Sequence, residues 1–345
     1  MVYKTIKITA ASILLSGLLL LLWLIFVPRS YTVPPFENRA DEQYWDLPTG
    51  SRIGYAFVPA KGVKQPYPII FLQGGPGSWI GDATLNMLAP LSENGFDVYL
   101  YDQIGAGHSG RLADIREYTA DRHKRDLEAI VQQIGTEKVI LIGQSWGAIL
   151  ATLFVADNPG SVEKLILTGP GPIYPVNQTI RNVKAPDSLQ LKNPLYTNRQ
   201  GNEKMNTLRT RAMSWFATTF GKKIASEKEA DAFEALLSHD CRKSCVCDTT
   251  ILRHSPVTSG SGFYVSVMTV KSLTQIQDPR PKIQGLPIPL LLMRGQCDNQ
   301  LWGYQAEYLD LFPKHQLAVF PDAGHVIALE QPELYLKTLR TFLGK

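Results

Sequence analysis

The chain has 345 residues, 44% of them hydrophobic and 19% charged, with a formal net charge of +4. That length suits one large α/β domain or two smaller ones, and the composition can bury a sizeable core. The charge is modest and dispersed: no Lys/Arg cluster suggests a nucleic-acid groove, and there is no internal repeat or low-complexity segment.

The first element stands apart. Ile8–Val27, "ITAASILLSGLLLLLWLIFV", is 20 residues without a charge. As a helix it would be about 30 Å long, the thickness of a bilayer core. The run is long for a signal peptide and ends "FVPRS", without a small-residue cleavage pattern. An uncleaved membrane anchor within residues 1–30 is therefore expected, or a secreted product if the segment is removed. Lys4, Lys7 and the amino terminus oppose Arg29 and Arg39, a slight bias toward a cytoplasmic N-terminus and an exported remainder on a single-pass anchor.

From Ser51 onward, strand-like apolar runs alternate with helix-like segments. The first run, Pro68–Gln73, leads into a glycine-rich loop, "QGGPGSW". The second, Asp97–Gln103, leads into "IGAGHS". The third, Lys138–Gly143, runs into "GQSWGAIL", in which Gly143, Ser145 and Gly147 have the spacing G-x-S-x-G. A strand before that serine and a helix after it give the context of a nucleophile elbow, a strained turn that lifts the hydroxyl above a sheet. Lys164–Gly169 is the fourth run. These runs are continuous rather than alternating, as in a parallel sheet covered on both faces, and the pattern is doubly wound α/β.

The alternation stops after Pro172 and resumes near Gly285. Residues 172–285 are expected to form a helical cap over the carboxyl edge of the sheet, where open α/β sheets bind ligands. The core is then split into residues 31–171 and 286–345. Within the cap, Cys241, Cys245 and Cys247 cluster, whereas Cys297 lies far along the chain. An exported domain suggests a disulfide within the cluster; free thiols, or a zinc site with His239 or His254, are the alternatives.

Two further runs complete the pattern. Pro289–Gly295 is followed by Asp298, and Gln316–Phe320 by Asp322 and His325. A serine nucleophile needs a base, and the base an orienting acid, in the chain order Ser, Asp, His. Ser145, Asp298 and His325 meet that order from three strand ends. Asp322 is a rival acid, three residues before His325. His108 and His123 are less well placed as bases. Oxyanion donors are expected from the backbone N–H groups of Trp146, which follows the nucleophile, and of Gly75 in the glycine-rich loop.

These residues resemble the α/β-hydrolase superfamily and, within it, the prolyl iminopeptidases, over about Tyr44 to Leu343. "QGGPG" is similar to that group's HGGPG loop, "DQIGAGHS" to its DQRGxGxS segment and "GQSWGA" to its GGSWG elbow, including Trp146. Gln73 stands where histidine is usual, and Ile104 where arginine is usual. The cap keeps a tryptophan, Trp215, without the neighbouring glutamate that holds a substrate amine in that family. Glu203, Glu227, Glu229 and Glu234 are the acids available instead, and Glu234, beside Phe233, is the one expected to serve.

The resemblance implies Ser-His-Asp acyl transfer releasing N-terminal proline or similar residues from short peptides. Gln73, Gly74, Trp215 and Glu234 would line the substrate site, and neither cofactor nor metal is required. A membrane-anchored esterase or lipase of the same fold is the second reading, and a non-catalytic binding protein the third.

Overall fold

A computed structural model of the chain describes residues 2–37, 39 and 42–345, the side chains of residues 2–11 excepted. Among the described residues, eight strands form one sheet: β1 (Gln43–Asp46), β2 (Arg52–Val58), β3 (Ile69–Leu72), β4 (Val98–Tyr101), β5 (Val139–Gln144), β6 (Val162–Thr168), β7 (Leu290–Gly295) and β8 (His315–Phe320). Their order is β1-β2-β4-β3-β5-β6-β7-β8, with β1 and β2 antiparallel and the rest parallel. Among the described residues, the α-helices in chain order are α1 (Val2–Phe26), α2 (Asp82–Leu88), α3 (Ala120–Ile134), α4 (Trp146–Asp157), α5 (Asn198–Met205), α6 (Leu208–Phe220), α7 (Glu227–Cys241), α8 (Phe263–Ser272), α9 (Arg280–Ile283), α10 (Trp302–Leu311), α11 (Ile327–Glu330) and α12 (Pro332–Leu343).

The six expected strand runs all form, and β5 shows why they lack alternation. Val139 and Leu141 enter one buried cluster, while Ile140 and Ile142 enter the cluster on the opposite face. Both faces are dry, so every position is apolar. β1, the edge strand, and β2, paired between β1 and β4, escaped the reading because exposed and half-buried residues interrupt their apolar pattern. Between β6 and β7 the described chain is helical, from α5 to α9, with no strand.

The sheet order reverses around β3, which lies between β4 and β5. Connections leaving β3 and β5 therefore diverge, and a crevice opens at their carboxyl ends. The loop at 73–79 and the turn at Ser145 lie there.

α1 forms over the apolar N-terminus, but the spanning segment expected over Ile8–Val27 falls partly outside the described side chains. Among the described residues, no helix is long and apolar enough to cross a membrane. The carboxyl end of α1 docks on the helical segment: Arg209 donates to the Ile25 carbonyl at 2.7 Å, and Phe26 meets Phe216 edge-on. Farther back, Ile13 to Leu22 present exposed apolar side chains.

Candidate active site

Ser145 occupies the turn between β5 and α4 with φ 54° and ψ −114°, a conformation that non-glycine residues rarely adopt. Its N–H donates to the Thr168 carbonyl at 2.9 Å, pinning the turn to the end of β6. Two glycines make the turn possible. A Cβ on Gly147 would lie 1.9 Å from the Leu72 carbonyl oxygen, and one on Gly143 would lie 2.6 Å from that of Gly147. The G-x-S-x-G spacing is thus the footprint of α4 pressed against β3 and β5. α4 starts at Trp146, so the positive end of a helix dipole lies beside the serine.

His325 follows β8 and Asp298 follows β7. His325 Nδ1 lies 2.9 Å from Asp298 Oδ1. Asp322 turns away, with its carboxylate exposed and paired to Lys192 at 2.9 Å. The structure therefore brings Asp298, and not its rival, to the imidazole. Burial alone would raise the Asp298 pKa. The His325 imidazole, the Arg294 guanidinium and the Gln300 N–H together outweigh that effect and hold the carboxyl below its ordinary value. Gly169, at φ 50°, continues β6 between the two sides of the site: a Cβ there would sit 2.9 Å from His325 Nδ1 and 3.1 Å from Asp298 Oδ2.

The loop after β3 closes the other side. A Cβ on Gly74 would stand 3.3 Å from that of Ser145. Gly75 is exposed and has φ 117°. A string of amides ties this loop to the elbow. The Trp146 indole donates to Gln103 Oε1 at 2.7 Å, Gln103 Nε2 to the Gln73 carbonyl at 3.0 Å, and Gln73 Nε2 to the Trp79 carbonyl at 3.2 Å. Gln73 Oε1 is buried without a partner among the described residues. His123 is fully buried, edge-on to the Trp146 ring, and bonded to Thr269. His108 is held by Asp102 at 2.8 Å. Neither meets Asp298, the carboxylate that holds His325. Glu42, Asp102 and His108 are close enough together to hold a metal ion, but Asp102 already accepts from Ile80 and His108, and Glu42 pairs with Arg39.

The four acids of the helical segment separate clearly. Glu203 pairs with Arg199, Glu227 with Lys223, and Glu229 with the buried Arg209. Glu234 has no basic partner among the described residues. Burial, with the Ser266 side chain opposing and Asp231 adding, pushes its pKa up to about 8. Ser266 borders the loop after β3: a Cβ on Gly77 would lie 3.3 Å from the Ser266 Cβ. Trp215 does not join this region. It is 54% exposed on α6, packed against Phe216 and Phe220 on the helix that receives α1.

The cysteines also differ from expectation. Cys247 is bonded to Cys297 across 50 residues, while Cys241 and Cys245 are free thiols. The disulfide joins the helical segment to the residue just before Asp298. A small apolar cavity of about 160 Å³ touches Gln144 and Val326, the neighbours of Ser145 and His325, and is walled by Phe71, Met87 and Tyr335. Sequence reading missed Arg294 and Gln305, which back Asp298; the one visible signal was a charge inside the apolar run "LLLMRG".

A family model described as the alpha/beta hydrolase fold matches residues 67–332. The chain belongs to the α/β-hydrolase family. It is 28% identical to a proline iminopeptidase of Heyndrickxia coagulans over 303 residues, which is 86% of this chain and 96% of that one. A proline iminopeptidase of Clostridioides difficile is 23% identical over 310 residues, 85% of this chain and 99% of its own. Among solved structures, an esterase from Exiguobacterium antarcticum superposes with a TM-score of 0.59 at 18% identity, covering 88% of this hydrolase and 99% of the esterase, a likeness of fold.

Proposed function

We propose that this hydrolase is a serine aminopeptidase that releases N-terminal proline or a similar residue from short peptides. His325 accepts the Ser145 proton as the hydroxyl attacks the carbonyl, and Asp298 holds the imidazole with its Nδ1–H toward the acid. The N–H groups of Trp146 and Gly75 receive the oxyanion. His325 then protonates the leaving amine, and water, activated by the same base, releases the acyl group.

One observation carries the choice of substrate: the Glu234 carboxyl has no cation of its own among the described residues and borders, through Ser266, the loop beside Ser145. A substrate ammonium would supply the missing charge, and a carboxylate in that setting gains most from such a partner. Gln73 Oε1, buried and unpartnered, is a second acceptor for a substrate N–H. The test compares kcat/KM for a prolyl arylamide, its N-acetyl derivative and a butyrate ester of matched leaving group. The free amine should react more than a hundredfold faster than the acetylated amide, the scale of losing one partner of a buried pair, about 3–5 kcal/mol. Equal rates on the two amides, or turnover of the ester alone, would replace this reading with an esterase.

The helical segment over the crevice is read here as the cap, its boundaries near 172 and 285. The uncharged run Ile8–Val27 is proposed as a membrane tether for an exported catalytic unit; the Cys247–Cys297 disulfide fits an oxidising compartment. Fractionation with carbonate extraction tests the tether, and recovery of the full-length chain in the soluble fraction would dismiss it.

A further inference from the structure

Arg294 sits near the end of β7, 3% exposed, with no carboxylate in salt-bridge reach among the described residues. Its Nη1 donates to Gln305 Oε1 at 2.6 Å, and its Nη2 to the carbonyls of Gln300 at 2.9 Å and Asp298 at 3.3 Å. Its Nε is buried and unpartnered. A guanidinium held this way is costly, since the Asp298 charge nearby offsets only part of its removal from water. Stability alone does not account for it.

Arginine has five donors and no acceptor. It can therefore meet only the oxygen end of the Gln305 amide, which fixes the flip of that side chain. The nitrogen end then points the other way, and Gln305 Nε2 donates to Asp298 Oδ2 at 2.9 Å. Asp298 Oδ1 accepts from the Gln300 N–H at 3.0 Å and meets His325 Nδ1 at 2.9 Å. Two fixed donors thus face the carboxyl. A proton on Oδ2 would collide with the Gln305 amide hydrogen, so that oxygen is kept as an acceptor. With Asp298 ionised, His325 must present its proton at Nδ1, which leaves Nε2 bare for the serine.

We propose that Arg294 and Gln305 are positioning residues that act through Asp298: the guanidinium sets the amide, the amide sets the carboxylate, and the carboxylate sets the histidine tautomer. This rests on the Ser145–His325–Asp298 mechanism proposed above. The other groups near the carboxylate are the imidazole of His325 and the Cys245 thiol, which lies on the segment from α7.

The experiment measures kcat, KM and the pH dependence of kcat/KM, with active sites counted by a serine-directed phosphonate. Gln305→Met removes the donor with little change in volume and should lower kcat by about ten- to a few hundredfold, less than the ~10⁴ of losing the acid itself, with KM nearly unchanged. Gln305→Glu places negative charge against Asp298, which favours the imidazolium, so the acid limb of the kcat/KM profile should move to higher pH. Arg294→Lys retains a donor for Gln305 and should recover part of the rate lost in Arg294→Met. Wild-type kcat per labelled site in Gln305→Met, or an unmoved acid limb in Gln305→Glu, would overturn the proposal, whatever the variants do to stability. Ser145→Ala separates the two levels. If it is inactive while the Gln305 variants behave as wild type, this inference alone falls; if it stays active, the mechanism beneath it falls.

Discussion

The Leu72 carbonyl at the end of β3 stands where a Cβ of residue 147 would be, 1.9 Å from the position that atom would take. The helix behind Ser145 is therefore seated directly on the neighbouring strand. Its first turn contains the Trp146 N–H proposed for the oxyanion.

Gly147→Ala should break this seat. The opposing atoms are backbone, with Leu72 C at 2.6 Å and Gln73 O at 2.9 Å, and cannot rotate aside. Overpacking in a dense core typically costs 1–3 kcal/mol, and a clash with main chain belongs at or above the upper end, about 3 kcal/mol. Gly160 is the control: an added Cβ there meets nothing within 4 Å, so Gly160→Ala should be nearly neutral. Urea unfolding reads the stability of both, and phosphonate labelling reads the elbow. Equal midpoints for the two variants would show that α4 is not locked to β3.

Asp298→Asn should lower kcat by about 10⁴, the scale seen when an amide replaces a triad acid and the wrong tautomer results. Asp322→Asn should leave kcat within about twofold, because its carboxylate is exposed and an exposed pair is worth ~0–1 kcal/mol. Steady-state kinetics on one prolyl arylamide decides, and the reverse ranking would reassign the acid.

Much of this architecture is visible in the chain. β3 to β7 are legible because they are buried on both faces over most of their length, so burial writes an apolar word, and the edge strand β8 is legible from its shorter run Leu317–Phe320. Ser145, Asp298 and His325 are legible because each follows such a word. Asp298 is favoured over Asp322 because it ends a strand of its own, and the turn at Asp322, with φ 49°, accordingly points its side chain to Lys192. Gln305 is hidden: it lies on α10, and its role comes from two contacts across the fold. The bond from Cys247 to Cys297 is hidden by the nearer cysteines, because spacing along the chain carries no information on which thiols meet.

His123 predicts how the protein responds to acid. Burial, aided by the Arg122 charge, pushes its pKa down to about 3 from 6.5. The folded state therefore refuses a proton that the unfolded chain accepts, and the stability this neutral imidazole confers is lost as pH falls from 6.5 toward 3. The slope is about 1.4 kcal/mol per pH unit inside that window. His123→Gln keeps a polar atom for Thr269 and removes the titration, so wild type should lose stability faster than the variant between pH 6.5 and 5. Chemical denaturation at several pH values measures the difference; parallel curves would mean that His123 takes up its proton without cost.

Glu234 gives the opposite sign and bears on substrate. Its carboxyl is raised from 4.5 to about 8, chiefly by burial, with the Ser266 hydrogen bond opposing and Asp231 adding. Without ligand, the folded protein keeps this proton while the unfolded chain gives it up, so stability declines as pH rises from about 4.5 through 8. Glu234→Gln removes that decline. The variant and wild type should melt alike at pH 5, and the variant should melt higher at pH 8.5. A bound ammonium reverses the preference, because the charged carboxylate then has a partner. The same substitution should therefore raise KM for a free-amine prolyl arylamide and leave the N-acetyl analogue unaffected. Both readouts are needed. A melting difference with unchanged KM would make Glu234 a buried acid that substrate never meets, and the amine would have to be held elsewhere in the cleft.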